Sequence, residues 1–147
     1  MSRYTDHMGL VISTRSAEAA RRYVEGVRLF TDGSADAVPT FAAAVAADRS
    51  LGVALAALCL ARAHNGGIEC HDIDDLASLL ATSNRATRRE RQHIEIIVVA
   101  GRGDVDRARA LGKAHLTEFP GDAMIAHVVA GRALSISGED RGSCETT

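Results

Sequence analysis

"TRRERQHIEIIVVAGRGDVDRARALGKAHLTEF", Thr87 to Phe119, decides the fold class. Thr87-x-x-Glu90 fits a capping box, in which the threonine side chain accepts from an orphan N–H at a helix start and the glutamate reaches back to the threonine amide. An apolar run with Ile94, Ile96 and Ile97 follows, and the helix extends to Gly101. "GRGD" makes a turn, a second helix covers Val105 to Glu118, and "FPGD" ends it. Helices joined by so short a turn lie antiparallel.

The same punctuation divides the rest of the chain. Ser16 caps a helix to Thr31 with Ala20, Tyr23, Val24, Val27 and Phe30 on one face. A second helix fits Asp36 to Ala47, with Pro39 in its first turn, where a missing N–H costs least. A third spans Leu51 to His64 and stops at Asn65-Gly66-Gly67, and a fourth covers Ile73 to Ala81. Asp122 is placed to cap a seventh that ends near Ser137. No alternating strand pattern of useful length occurs. The expectation is an all-α domain over residues 1–138, with a polar, disordered tail at 139–147.

Composition agrees. In 147 residues, 46% are hydrophobic but only 3% aromatic, so the core is built from small and aliphatic side chains, which suits close helix packing. A net charge of −2 gives no general attraction to nucleic acid or anionic membrane. Arginines between Arg85 and Arg91 are diluted by Glu90 and Glu95 and lack aromatic neighbours for base stacking. The 3 cysteines, Cys59, Cys70 and Cys144, have no C-x-x-C pair, which implies reduced thiols and a cytoplasmic setting. No stretch is long and apolar enough to span a bilayer.

An internal repeat is visible. "AVPTFAAAVAADR" from Ala37 aligns with "ARALGKAHLTEFP" from Ala108, 71 positions on. That offset is about two periods of the 34-residue helix–turn–helix unit of tetratricopeptide (TPR) solenoids. The stretches "DHMGLVISTRSAEAARRYVEGV" and "FAAAVAADRSLGVALAALCLA", together with Thr87 to His127, resemble the N-terminal part of the tetratricopeptide repeat protein 38 family. The resemblance implies a right-handed, TPR-like α-solenoid of about seven antiparallel helices, three and a half pairs. It implies no defined reaction. Family members are longer, and Arg49 stands where TPR units usually have proline.

An open end of a solenoid must be covered. Helix seven, Ala123 to Ser137, is apolar around most of its circumference, so the expectation is a homodimer or a partner protein docked there.

Two readings of the opening stretch compete. In the first, Thr87 and Glu90 cap the helix, Arg88, Arg89 and Arg91 are solvated, and His93 is a hydrogen-bonded core residue. In the second, the repeat register turns Arg22, Val53, Ala56, Glu90, His93, Met124 and His127 towards a concave groove that binds a peptide or a small apolar ligand. Glu90 and His93 share a helix face, and His127 points into the same space. This set would supply acid–base chemistry if the chain were a small enzyme of a bacterial biosynthetic pathway, an origin suggested by the Ala- and Arg-rich composition. The expected N-terminal element, around Asp6 and His7, is either a segment folded over the groove or a mobile end. His64 suits a helix C-terminus, where the dipole favours a cation. Cys59 reads as an inert core thiol. No cofactor is implied, and the His and Cys spacings match no zinc pattern.

Overall fold

The computed structural model describes residues 4–6, 8–65 and 70–131, with backbone alone at 65, 70 and 71. His7, the Cys70 and His71 side chains, Cys144 and the tail at 139–147 lie outside the described residues. The elements are a hairpin of β1 (Tyr4–Thr5) and β2 (Val11–Ile12), then α1 (Ala17–Thr31), α2 (Ala37–Ala47), α3 (Gly52–Asn65), α4 (Cys70–Thr82), α5 (Arg88–Gly101), α6 (Val105–Glu118) and α7 (Ala123–Ala130). The all-helical expectation holds for the bulk of the chain.

The caps behave as the sequence implies in most places. Ser16 accepts from the Ala19 amide at the start of α1; Asp104, read from the sequence only as part of a turn, accepts from the Arg107 amide at the start of α6. The Thr87–Glu90 capping box is present in both directions.

Two elements differ from expectation. The seventh helix stops at Ala130, because Gly131 adopts φ +74° and closes it with a left-handed residue. Residues 132–137 of the expected helix lie outside the described residues. The N-terminal segment is an ordered hairpin. Asp6 Oδ1 accepts from the Met8 and Leu10 amides, each at 2.9 Å, and Gly9 takes φ +81°, so the turn is built from local side-chain bonding. Strands of two residues are too short for an alternating pattern to be seen.

Helix α3 is apolar on nearly every side and forms the centre: Val53, Ala54, Ala56, Ala57, Cys59 and Leu60 are all fully buried. It touches α2, α4 and α5, while α5 also meets α4 and α6. Small residues set the spacing. A Cβ on Gly26 would stand 2.4 Å from the Phe41 ring, so α1 lies closer to α2 than any other residue would allow. Phe41 in turn meets Tyr23 with ring centroids 6.0 Å apart. Helix α7 packs on α6 and also touches α1, so the first and last described helices meet. Phe30 of α1 and His127 of α7 make that contact edge to face, with centroids 4.7 Å apart.

Candidate functional site

The seven residues expected in a groove separate into four groups. Val53, Ala56 and Met124 are core side chains with 0–1% exposure, and offer no surface to a ligand in this structure. His127 is half-buried against Phe30. Arg22 lies on the exposed side of α1, 3.7 Å from Glu18. Glu90 and His93 are buried, at 1% and 0%, and belong to a polar cluster that joins both ends of the described chain.

Glu90 is fully used. Its Oε1 accepts from the Thr87 amide at 2.8 Å, and its Oε2 from the Ser13 amide at 3.1 Å. The carboxylate therefore closes the capping box and, with its other oxygen, fastens the hairpin to α5. It is not the carboxylate partner of His93. That partner is Asp122: His93 Nδ1 lies 2.9 Å from Asp122 Oδ2 and 3.2 Å from Oδ1.

Asp122 occupies the N-cap position of α7 but makes no capping bond with its side chain. The carboxylate turns inward instead. Oδ2 also meets His115 Nε2 at 2.9 Å and Arg89 Nη1 at 3.7 Å. His115 is anchored at its other nitrogen by Gln92 Oε1, 2.8 Å from Nδ1. Burial works to raise the Asp122 carboxyl, but the electrostatic pull of His93, the hydrogen bonds from His115 and His93, and the Arg89 guanidinium outweigh it. The net effect holds the carboxyl far below its ordinary 3.8.

Arg89 corrects a second expectation. Arg88 and Arg91 are exposed, as the capping-box reading requires, but Arg89 is 4% exposed. Its Nη2 donates to the Val11 carbonyl at 3.1 Å, so hairpin, α5 and the start of α7 share one guanidinium. Tyr23 of α1 faces the same group. Burial pushes its phenol up to about 12, against the pull of Arg89.

Chemically this is a closed ionic knot. His93 Nε2 has no hydrogen-bond partner and is sealed from solvent, so no substrate reaches it without the structure opening. Among the described residues no set of three His, Cys, Asp or Glu side chains is arranged to hold a metal ion. Cys59 is buried and free, and burial pushes its thiol up to about 12, which leaves it unreactive. His64, exposed in the last turn of α3, rests edge-on against Phe30 at 5.8 Å.

Sequence reasoning missed His115, Arg89 and the inward turn of Asp122. A signal for His115 existed: Ala108, Gly112 and His115 form the buried stripe of α6, and a polar residue on such a stripe needs a partner.

Open surface lies elsewhere. A cleft of about 500 Å³ separates β1 from α1, with Tyr4, Ala17, Ala20 and Val24 on its walls and Arg21, Arg22 and Glu25 at its rim. A smaller one, of about 300 Å³, lies between α5 and α6. Among the described residues no helix is long and apolar enough to cross a membrane. No family model matches the chain, and neither a curated protein nor a solved structure matches it.

Proposed function

We propose that the chain is a TPR-like binding module that takes a peptide segment or small molecule in the cleft between the hairpin and α1. The observation that carries this reading is the cleft itself. Its volume lies within the range of small-molecule sites, and it combines apolar walls with cationic Arg21 and Arg22 at the rim. Arg22 is the one groove candidate from the sequence that lines it.

Repeat-like packing supports the TPR part. Each helix rests on the next, and the alternate pairs α1·α3 and α3·α5 also touch. The α1·α7 contact makes this a short stack whose ends meet, in place of an open superhelix. The enzyme alternative, acid–base chemistry around Glu90, His93 and His127, is less well supported, because Glu90 and His93 are buried and Glu90 is spent on backbone amides. A homodimer through Ala123–Ser137 remains part of the proposal. The described part of that segment leaves Ala126 and Ala130 exposed, while Met124, Ile125 and Val128 are already buried. A buried free thiol at Cys59 fits a reducing cytoplasm.

The test is an amide-shift titration of the labelled chain with short peptides and apolar carboxylic acids. Perturbations at Tyr4, Thr5, Ala20 and Val24, weakened by Arg22→Ala, are expected. Shifts confined to other faces would overturn the assignment. A monomeric mass by light scattering at micromolar concentration would remove the dimer.

A further inference from the structure

A second site stands apart from the hairpin cleft. The smaller cleft has Ile96 on α5 and Leu111 and Ala114 on α6 as apolar walls. Three charged residues line it. Two of them cancel: Arg88 Nε lies 2.9 Å from Glu118 Oε2, and Arg88 Nη2 donates to Glu118 Oε1 at 3.1 Å, a two-point pairing that occupies both groups. The third, Glu95, is exposed on α5 and has no ion-pair partner among the described residues. The uncompensated charge of the cleft is therefore one carboxylate.

Gln92 supplies a fixed polar wall. Its amide is held at 2.8 Å by His115, and His115 is itself held on Asp122, so the amide does not swing freely into solvent. At about 300 Å³ the cleft is at the small end of ligand pockets, suited to one side chain or a small molecule.

We propose that this cleft binds a single alkyl cation, an ammonium or guanidinium on an aliphatic stem. The stem lies along Ile96, Leu111 and Ala114, and the head group donates to the Glu95 carboxylate. A free alkylguanidine or the arginine side chain of a peptide carries the same chemistry, and an anion is disfavoured by the unpaired Glu95.

The experiment is a titration of the labelled chain with n-butylguanidinium, with N-acetyl-arginine methylamide, and with neutral n-butylurea. Both cations should shift the amides of Gln92, Glu95, Leu111 and Ala114, and butylurea should not. Glu95→Gln should weaken both cations by roughly threefold, the scale of an exposed charge pair, and added salt should weaken them similarly. Arg88→Ala should strengthen them, because it frees Glu118. Tighter binding of the blocked arginine identifies a peptide source, and equal binding identifies a free small cation. Glu95 is exposed, so Glu95→Gln keeps the fold, which unchanged helicity confirms. Butylurea binding as well as the cations, Glu95→Gln leaving affinity unchanged, or no shifts on the α5–α6 face would each overturn the proposal.

Discussion

His93 Nδ1 lies 2.9 Å from Asp122 Oδ2, across 29 positions of sequence, and this contact ties α5 to the start of α7. His115 from α6 meets the same oxygen, and Arg89 stands 3.7 Å from it. One carboxylate thus answers two imidazoles and a guanidinium, all buried. Removing one member of such a group is costly, since a buried charge left without its partner costs several kcal/mol.

Asp122→Ala should therefore destabilise the fold by about 3–5 kcal/mol, the range for removing one partner from a buried ion pair. The loss removes the partner of His93 Nδ1 and His115 Nε2 and the carboxylate facing Arg89, and with them an anchor of α7. Urea unfolding followed by circular dichroism measures it. A change below about 1 kcal/mol, the size of an ordinary surface substitution, would show that the cluster is not a keystone.

Acid should act through the same residue. The Asp122 carboxyl is held below its ordinary 3.8 in the folded chain, so the unfolded state binds its proton first as pH falls. Its contribution is fully present above the unfolded value and is lost as pH drops through that value towards the folded one. Asp122→Asn cannot titrate, so the stability gap between wild type and Asp122→Asn should narrow steadily below about pH 5. Parallel curves would mean that Asp122 does not carry this linkage.

The helical plan was legible because its signals are local. A capping box, a Gly-x-Gly turn and the apolar spacing of α1, α5 and α6 all lie within one or two turns of the residues they organise. The polar cluster was legible only in part. The spacing put His93 on a buried face but could not name a partner 29 positions away, and the nearby Glu90 was the obvious candidate. Asp122 was misleading for a physical reason. Aspartate before a helix is favoured as a cap, and the sequence does not show that its carboxylate is drawn inward by a guanidinium and two imidazoles on two other helices. Arg89 misled in the same way, since a helix's first turn is usually solvated and here the hairpin covers it.

Glu90 joins that hairpin to the body, so Glu90→Ala should release it without dissolving the helices. Hydrogen exchange at the Ser13 amide should rise sharply, since its acceptor is Glu90 Oε2. The capping box is lost as well, and the global cost should be about 1–3 kcal/mol, the penalty for orphaned buried donors. Thr87→Ala is the control. It removes the cap at about 1 kcal/mol but leaves Ser13 protected. Equal protection of Ser13 in wild type and Glu90→Ala would show that Arg89 and Val11 hold the hairpin alone.

Gly26→Ala tests the closeness of α1 and α2. In an exposed helix the change would stabilise by about 1 kcal/mol, because alanine is the better helix former. Here the new methyl would stand 2.4 Å from Phe41 Cε1, and the Phe41 ring is itself fully buried against Tyr23. The ring has little room to yield, so overpacking should reverse the sign and cost about 1–3 kcal/mol. Pairing the change with Phe41→Leu should recover part of the loss, because the smaller side chain makes room for the methyl. Chemical denaturation of the two single variants and the double variant gives the coupling, and a Gly26→Ala chain as stable as wild type would mean that the α1–α2 contact relaxes more readily than its geometry implies.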